Sequence, residues 1–464
     1  MAGSSEFLTV AERAVADLEL RRKLENATGR HLNHVAETRA EFPRFDEERE
    51  TARRIKEESI GRLDELLTAL IDRLKANGCK VTVAADAAEA REYIVGLARR
   101  RGVRTVVKGK SMTTEEIELN PALTAAGIQP VETDLGEYIV QLRRESPSHI
   151  ITPAIHLSRE DIGRLFAENL GIAYTPEPER LTAAARERLR SIFLNAEMGV
   201  TGANFAIAET GTLVLVENEG NGRYSSTWPQ TLVVLMGMEK VIPRLADLSH
   251  FLEILARTAT GQKLTCYTNF IHGPRGADEI DGPEQVHVVI LDNGRTRMLA
   301  DPVLREALYC LRCGACLNVC PVYRRIGGHA YGVPYQGPIG SIVSPVLFGT
   351  RAAYLPFAST LCGACREICP VKIDIPRILL HQRWLESGGN HGASIRFPRS
   401  ISRTRRALTR FARMARHPRR MRLLNRAMAL LAWPLERDGY IRRMPGAFRH
   451  WTRTRDFRAP RSRR

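Results

Sequence analysis

The sequence reads Cys310-Leu-Arg-Cys313-Gly-Ala-Cys316-Leu-Asn-Val-Cys320-Pro321 in one stretch and Cys362-Gly-Ala-Cys365-Arg-Glu-Ile-Cys369-Pro370 in a second. The first stretch has the full spacing C-x2-C-x2-C-x3-C-P, with which bacterial ferredoxins hold cubane iron–sulfur clusters. Thiolates suit this purpose because they are soft ligands that lose their proton on binding iron. The two stretches therefore predict a domain that holds two iron–sulfur clusters.

The ligands of each cluster can be assigned from a rule of two-cluster ferredoxins, in which the cysteine before proline ligates the other cluster. The rule gives two sets: Cys310, Cys313, Cys316 and Cys369 for cluster 1, and Cys320, Cys362 and Cys365 for cluster 2. Cluster 2 lacks a fourth thiolate because Ser359 stands where the second stretch would have its first cysteine. Four solutions stay open: a three-iron cluster, the Ser359 hydroxyl, the distant Cys266, or a ligand from outside the protein.

Other uses of these cysteines fit the sequence less well. A structural zinc site takes four ligands in two C-x2-C pairs, a different spacing. The first residues show no basic segment followed by an apolar core, so we expect no secretory signal and no disulfide framework. Cys79 and Cys266 are interpreted as ordinary thiols.

The composition is that of a soluble protein with an unusual tail. The chain has 464 residues, enough for two or three domains, and its hydrophobic content is 44%. Of the net charge of +17, residues 391–464 carry +19, from 22 arginines and 3 acidic residues, so the rest carries −2. This distribution excludes an evenly basic nucleic-acid-binding domain. No stretch approaches the roughly 18 apolar residues of a membrane span. Nine cysteines, seven of them in the two stretches, suit a reducing cytoplasm, so we expect a cytoplasmic protein.

The first three-fifths of the chain predict a helical arm followed by an α/β domain. Residues 1–78 are helical in pattern, with leucines and isoleucines at helical spacing up to Gly78. Short apolar strands then alternate with helices through residues 79–295, which predicts a parallel α/β sheet. The strands are expected at 81–85, 103–107, 128–132, 208–216, 231–236, 267–271 and 286–291, in one sheet.

Two segments of this domain are candidates for binding or catalysis. The loop Lys108-Gly109-Lys110-Ser111 follows a strand and precedes a helix, a position where backbone N–H groups often bind anions. It is not a Walker A loop, and no G-x-G-x-x-G fingerprint occurs. The second segment contains Glu209, Asn221 and Arg223. The candidate catalytic residues are therefore Lys108, Lys110, Glu209 and Arg223, with Asn221 beside them; Glu209 also has the simpler interpretation of a structural hydrogen bond at a strand end.

The cluster domain is expected at 296–390 and the arginine-rich tail at 391–464. The spacing between Cys320 and Cys362 is too long for a compact bacterial ferredoxin and favours an all-helical two-cluster fold. The glycine- and proline-rich segment 327–345 is expected to be a loop. The tail places basic residues beside Trp433 and several leucines, which fits an interfacial helix on anionic lipid at the inner membrane face. A solvated tail and non-specific nucleic-acid contact are the alternatives; no specific nucleic-acid site is expected.

Three features together resemble one bacterial family. They are Ala-Glu-Thr-Gly-Thr at 208–212 with Gly220–Arg223 after it, the complete first cysteine stretch with an incomplete second, and the link segments 327–332 and 337–340. This combination is similar to the lactate utilization protein B family, the iron–sulfur subunit of a bacterial L-lactate-oxidising system. The resemblance covers residues 5–390 and does not include the tail.

The resemblance implies a fold, cofactors and partners. The α/β part would be a lactate-utilization domain related to ribose-phosphate isomerases and CoA-transferases. The seven cysteines would bind two [4Fe-4S] clusters, and the family shares the missing first cysteine of the second stretch. The chain would carry electrons from L-lactate oxidation to pyruvate, with subunits A and C as partners.

Three functions compete at this point. The first is an electron-transfer subunit, favoured by two clusters without a flavin or nicotinamide fingerprint. The second is a self-contained oxidoreductase whose α/β domain binds the hydroxy acid. The third is a non-catalytic redox sensor or scaffold.

Overall fold

The fold is taken from a computed structural model that describes residues 2–386, 402–446, 449, 452 and 455–459. The chain forms two compact units, 1–398 and 399–464. The start of the predicted tail, 391–401, lies outside the described residues.

Four helices make up the N-terminal arm: Ala2–Ala16, Leu18–Ala40, Phe45–Gly61 and Leu63–Ala76. The fourth helix buries Leu63, Leu66, Leu70 and Leu74, each at most 6% exposed. Residues three or four positions apart lie on one helix face, which explains why their spacing predicts this helix. Gly78 follows with a φ of +87°, a conformation that glycine adopts without strain.

The α/β domain contains ten strands, which are β1 Lys80–Ala84, β2 Thr105–Lys108, β3 Gln129–Glu132, β4 Met198–Thr201, β5 Phe205–Ile207, β6 Thr212–Glu217, β7 Thr231–Gly237, β8 Val241–Ile242, β9 Tyr267–Ile271 and β10 Gln285–Leu291. Six form a sheet in the order β1-β10-β7-β4-β2-β3. All five neighbouring pairs are parallel. The predicted α/β class with a parallel sheet is confirmed. The helices of the domain are Ala87–Arg100, Met112–Glu116, Leu119–Ala125, Leu135–Leu142, Arg159–Leu170, Pro178–Asn195, Asn221–Thr227 and Leu248–Ala259, with a 3-10 turn at Met238–Lys240.

The expectation of a single sheet was wrong. The strands β8-β5-β6-β9 form a second, four-stranded sheet in which β6 pairs antiparallel with both β5 and β9. Strand β9 is only partly buried, unlike the central strand β7, which is buried along its whole length. An edge strand of this kind has the same length and residue types as a strand of the main sheet, so the sequence pattern alone does not separate them.

The part of the chain after 295 is helical up to residue 386. Its α-helices are Arg295–Ala300, Ala315–Asn318, Tyr323–Ile326, Gly337–Phe348, Ala364–Ile368 and Ile375–Glu386, and its 3-10 helices are Leu304–Tyr309, His329–Tyr331, Gly349–Arg351 and Leu355–Phe357. The expected loop at 327–345 is therefore wrong in its second half. Helix Gly337–Phe348 begins with Pro338 in its first turn, where proline needs no hydrogen-bonded N–H. It buries Ile339, Ile342 and Val346.

The glycines of this link allow close packing against the α/β domain. A Cβ atom on Gly328 would lie 1.9 Å from the carbonyl oxygen of Ser148. Around this contact Tyr323 Oη donates to the Ser148 carbonyl (2.7 Å) and Gln336 Nε2 donates to the Pro147 carbonyl (2.8 Å). Only glycine at position 328 leaves room for the backbone of Ser148. The hydrogen bonds of Tyr323 and Gln336 then join the helical part of the unit to the α/β domain.

The unit 399–464 has helices at Ser402–Ala415 and Pro418–Ala432 and a 3-10 turn at Trp433–Leu435. Three short antiparallel strands follow, β11 Glu436–Arg437, β12 Tyr440–Ile441 and β13 Phe457–Arg458. Its small core contains Ala432, Ile441 and Ala459. Across the described residues of the whole chain, none of the helices combines the length and the apolar composition that crossing a bilayer requires.

Candidate metal centres and the cavity beside them

Four cysteines surround a small cavity in the helical part of unit 1–398. The cavity has a volume of about 20 Å3 and is lined by Cys310, Cys313, Cys316 and Cys369, with apolar residues such as Ile339 around them. Cys369 belongs to the second stretch and the other three to the first. The structure therefore brings together the set that the crossing rule assigns to cluster 1.

Backbone geometry directs N–H groups at these sulfurs. Arg312, with a φ of +62°, donates its N–H to Cys310 Sγ (3.3 Å), and Ile373 donates its N–H to Cys369 Sγ (3.4 Å). The N-terminal arm contributes as well, since Arg49 Nη2 donates to the Cys369 carbonyl (2.7 Å). Hydrogen bonds to sulfur favour the charged thiolate, which is the form that binds iron.

The electrostatics of this set fit a bound iron–sulfur core. Burial, together with the nearby thiols, raises the pKa of Cys313 and Cys316, and burial raises that of Cys369 to about 11. Three of these thiols are buried and Cys310 is half-buried, and four thiols this close cannot all ionise without a cation among them. A cationic cluster core would supply that charge, so the donor set is suited to a four-iron cluster.

The other three cysteines form a second group. Burial, with Cys320 and Cys362 close by, raises the pKa of Cys365 to about 12. Tyr323 donates its N–H to Cys320 Sγ (3.5 Å). Ser359 is half-buried, and its hydroxyl accepts from the Leu361 N–H (3.1 Å). This group has three thiols, as the sequence predicts.

Cys266, considered as a distant ligand, lies just before strand β9. It is exposed, and its N–H donates to Asn218 Oδ1 (3.0 Å) in the α/β domain. The fourth ligand of cluster 2 stays open.

A larger cavity of about 230 Å3 lies between the α/β domain and the first cysteine stretch. Residues that follow β2, β3, β4 and β7 line one side, among them Lys110, Asp134, Gly202 and Lys240. Three consecutive residues, Leu311, Arg312 and Cys313, line both this cavity and the small one of cluster 1. The two cavities therefore share one thin wall.

A buried ion-pair network supports that wall. Arg295, 1% exposed, donates to Glu116 (Nη1–Oε1 2.8 Å, Nη2–Oε2 2.9 Å) and to Glu239 (Nε–Oε2 2.5 Å). Burial works to raise the pKa of Glu239, but Arg295 and Arg312 outweigh it and lower the pKa to about 2. Tyr335 Oη donates to Glu116 (2.7 Å), which joins the network to the helical part.

The structure separates the predicted catalytic residues into three positions. Lys110 and Asn221 line the large cavity. Lys108 is fully buried beneath it and pairs with Glu132 (2.5 Å). Glu209 and Arg223 are exposed and do not line it; Glu209 accepts from the Leu245 N–H (2.9 Å), the structural hydrogen bond considered above. A catalytic role for these residues stays a prediction.

Sequence reasoning missed three polar residues of the cavity that have side-chain atoms without a hydrogen bond to the described residues. Lys240, Arg312 and Thr201 line it. Thr201 is the last residue of a fully buried strand, so its position in the sequence indicates a core residue. Lys240 follows a buried strand, and no motif surrounds it in the sequence. Of the three, only Arg312 could have been singled out from the sequence, because it lies between the predicted cluster ligands Cys310 and Cys313.

A third group of potential ligands lies at the junction of the two parts. One ligand atom from each of Glu145, His156 and His329 falls within 4.8 Å of the others. Arg143 already pairs with Glu145 (2.8 Å), and His329 bonds to the Ser146 carbonyl (2.8 Å). His156 Nε2 is also bonded to Glu145 Oε2 (2.8 Å). Because all three are bonded within the protein, we assign no ion to this group.

His149, at the same junction, gives a prediction on pH. Its Nδ1 accepts from the N–H groups of Ile151 (3.0 Å) and Thr152 (3.2 Å), so Nε2 carries the proton toward Asn318 Oδ1 (3.2 Å). Burial lowers the pKa of His149 from 6.5 to about 3. The folded state therefore holds this ring neutral, and its contribution to stability is present above pH 6.5 and is lost as the pH falls toward 3. We expect about 1.4 kcal/mol of unfolding free energy to be lost per pH unit in that window.

The measurement is urea unfolding at pH 7.5, 6 and 5. The variant His149→Asn should show a shallower pH slope than the wild-type protein, while His34→Asn, at an exposed helix position, should keep the wild-type slope. Equal slopes for His149→Asn and wild type would contradict the neutral buried ring.

Comparisons with known proteins agree with this architecture. The family model described as LUD domain matches residues 67–291, and the model described as 4Fe-4S dicluster domain matches residues 306–373. "Lactate utilization protein B" of Macrococcus caseolyticus is 40% identical over 462 residues, which covers 99% of this chain and 95% of that protein. The protein of the same name from Bacillus subtilis is 39% identical and covers 99% of this chain and 94% of that protein. Both alignments extend into the tail, beyond the resemblance seen in the sequence.

Two further matches are less complete. "Uncharacterized electron transport protein YkgF" of Escherichia coli is 44% identical over 381 residues, 82% of this chain and 80% of that protein. The crystal structure of a DUF162 family protein from Deinococcus radiodurans is 15% identical and covers 49% of this chain and 98% of that one. Its TM-score of 0.27 is too low to support an argument about the fold.

Proposed function

Because the chain belongs to the lactate utilization protein B family, we propose that it is an iron–sulfur subunit that carries electrons from the oxidation of L-lactate to pyruvate. The family membership and the 4Fe-4S dicluster match assign it an iron–sulfur role in lactate utilization. The grouping of the seven cysteines into four and three supports the finer statement, because it provides for two adjacent clusters.

The chemistry of the reaction suits two clusters. L-Lactate gives up two electrons and two protons when it becomes pyruvate, and two [4Fe-4S] clusters, each a one-electron carrier, would together accommodate the electron pair. Cys310, Cys313, Cys316 and Cys369 would hold the first cluster. Cys320, Cys362 and Cys365 would hold the second, as [4Fe-4S] with an additional ligand or as [3Fe-4S].

Partner subunits complete the proposal. The sequence has no G-x-G-x-x-G fingerprint for a dinucleotide that accepts a hydride. The step that takes electrons from L-lactate would therefore require the other subunits of the system, A and C. The chain would then act as the relay between them and an acceptor.

The test compares the protein alone with the protein and its partners, all without oxygen. We expect the isolated protein to give no turnover with L-lactate and a dye acceptor, and to show lactate-dependent reduction by EPR once subunits A and C are added. Iron and sulfide analysis should give about eight irons per chain for two four-iron clusters, or about seven for one four-iron and one three-iron cluster. Turnover by the isolated protein would favour the self-contained oxidoreductase. Absence of reduction with both partners present would favour the redox sensor or scaffold.

We further propose that the C-terminal unit contacts anionic lipid at the inner face of the membrane. Its helix Pro418–Ala432 combines arginines with exposed leucines, of which Leu430 and Leu431 are each 76% exposed. Basic residues near anionic lipid headgroups each contribute about 1 kcal/mol, and apolar side chains can insert beside them.

Vesicle sedimentation tests this contact. The full chain should sediment with phosphatidylserine vesicles and be released as the salt concentration rises, whereas a chain that ends at residue 398 should not sediment and should keep its iron. Equal sedimentation of the two chains would contradict the proposal.

A further inference from the structure

The larger cavity occupies the position where open α/β sheets bind ligands. Its walls come from the residues after the carboxyl ends of β2, β3, β4 and β7, on one edge of the parallel sheet. Ligands of such sheets bind outside the carboxyl ends of the strands because the loops there diverge and leave a crevice. Here the loop of the first cysteine stretch covers the crevice and converts it into a cavity.

Three positively charged or polar side chains face this cavity with atoms that make no hydrogen bond to the described residues. Lys240 is 9% exposed, and none of the described residues accepts a hydrogen bond from its ammonium group. Arg312 Nη1 and Thr201 Oγ1 are also buried without a hydrogen-bond partner among the described residues. Burial of such groups costs free energy unless they are hydrogen-bonded. Their burial at one cavity is therefore accounted for by a ligand that accepts hydrogen bonds.

The acidic groups around the cavity have partners within the protein. Glu219 lies against Asp134, and burial together with the Asp134 charge raises the pKa of Glu219 to about 8, so this carboxyl group is mostly protonated at pH 7. Glu239 accepts from Arg295, and Asp134 caps a helix by accepting from the Glu137 N–H (3.0 Å). Glu217 accepts from the N–H groups of Gly222 (2.6 Å) and Arg223 (2.7 Å). Arg312 also keeps an ion pair with Glu239 (Nη2–Oε1 3.6 Å), so the groups left without a hydrogen bond are the Lys240 ammonium, Arg312 Nη1 and Thr201 Oγ1. Because two of these three groups belong to cations, the ligand should be an anion.

The size and the donors indicate the class of anion. A volume of about 230 Å3 lies below the roughly 300–1,000 Å3 of pockets for drug-sized ligands and excludes an enclosed dinucleotide. A phosphate group would normally use the N-terminus of a helix. Two short helices begin at this cavity. Asn221–Thr227 has its first N–H groups bonded to Glu217, as described above, and Met112–Glu116 spans only five residues, with its Thr114 N–H bonded to Ser111 Oγ (3.4 Å). A planar carboxylate is suited to the remaining donors because it accepts well from an ammonium and a guanidinium.

We propose that this cavity binds a small 2-hydroxy or 2-oxo monocarboxylate, with its carboxylate held by Lys240 and Arg312 and its second polar group bonded to Thr201. The choice of 2-hydroxy or 2-oxo acids rests on the proposed function, whereas the carboxylate itself rests on the cavity. The bound molecule would lie against the Leu311–Cys313 wall, directly across from the thiolates of cluster 1.

Binding is tested on the anaerobically prepared full chain with intact clusters, by equilibrium dialysis with labelled pyruvate and L-lactate. Saturable binding is expected, with lactamide and inorganic phosphate unable to compete. Lys240→Gln, which keeps a polar chain but removes the charge, should weaken binding at least tenfold. Lys75→Gln removes a lysine charge at an exposed position of helix Leu63–Ala76 and should bind like wild type.

Thr201→Val gives a readout that a purely structural role would not produce. It replaces an unpartnered buried hydroxyl with a methyl group of similar shape, so the free protein should gain stability in thermal unfolding. The same variant should bind pyruvate more weakly, so stability and affinity should change in opposite directions. Iron content should be that of wild type in both variants, since neither residue is a cysteine ligand.

The outcomes separate this inference from the proposed function. No saturable binding of either acid, unchanged affinity in both Lys240→Gln and Thr201→Val, or binding of phosphate in place of the carboxylates would overturn the site. Saturable binding without lactate-dependent reduction in the presence of subunits A and C would sustain the site and contradict the electron-transfer function. Lactate-dependent reduction with the partners present, but no binding of either acid to this chain, would support the electron-transfer function and contradict the site.

Discussion

Replacing Cys313 and Cys369 together with alanine is expected to remove no more iron than replacing either one alone. Both thiols line the same small cavity, although they belong to different stretches. Loss of one ligand should already release cluster 1, about four of about eight irons per chain, so the second change has nothing further to release. The double variant Cys313→Ala/Cys320→Ala should instead lose nearly all iron, because it removes a ligand from each cluster.

Iron analysis of the four proteins decides between crossed and uncrossed ligation. If each stretch held its own cluster, the pattern would invert: Cys313→Ala/Cys320→Ala would match the single variants, and Cys313→Ala/Cys369→Ala would be depleted. Cys79→Ala, which alters a buried cysteine outside both stretches, is the control and should keep wild-type iron. Since cluster binding and folding are coupled, the comparison uses protein that elutes at the wild-type volume in gel filtration.

Replacing Arg295 with alanine should strongly destabilise unit 1–398. The guanidinium bonds Glu116 and Glu239, each 2% exposed, so its loss leaves two buried carboxylates unpaired. Removing one partner of a buried ion pair costs about 3–5 kcal/mol. Urea unfolding should show a loss of at least this size, with the cavity wall at Arg312 disturbed as well because Glu239 lies 3.6 Å from it.

Two variants provide the comparison for Arg295→Ala. Arg297→Ala, two residues on, removes an arginine that, among the described residues, donates only to the Val346 carbonyl (2.7 Å) and should cost about 1 kcal/mol. The triple variant Arg295→Met/Glu116→Gln/Glu239→Gln should recover part of the loss, since removing all buried charges is less costly than leaving two unpaired. A loss below about 1 kcal/mol for Arg295→Ala would contradict the importance of the network.

Local sequence patterns were sufficient to predict a helix where contacts between residues of that same helix stabilise it. The leucines of helix Leu63–Ala76 and the capping residues Ser158 and Asp161 define helices through contacts three and four positions apart. Between β2 and β3 the chain forms two helices, Met112–Glu116 and Leu119–Ala125, because Glu118 adopts a left-handed conformation with a φ of +52°. Its side chain pairs with Arg351 (3.4 Å), a contact with a residue far away in the chain.

The sequence by itself determined the chemistry of the cluster domain, because cysteine spacing within a few residues sets which sulfurs can reach one metal centre. It also determined the α/β class, since local alternation of strands and helices is enough to indicate a parallel sheet. Only the tertiary structure decided which strands share a sheet and where the large cavity lies. In the sequence, Thr201 and Lys240 stand at or just after the ends of two apolar strands and belong to no motif. They line one cavity only because the loop that contains Arg312 covers them in the folded chain. That closure depends on contacts between residues more than a hundred positions apart, such as Arg295 with Glu116, and no local pattern records them.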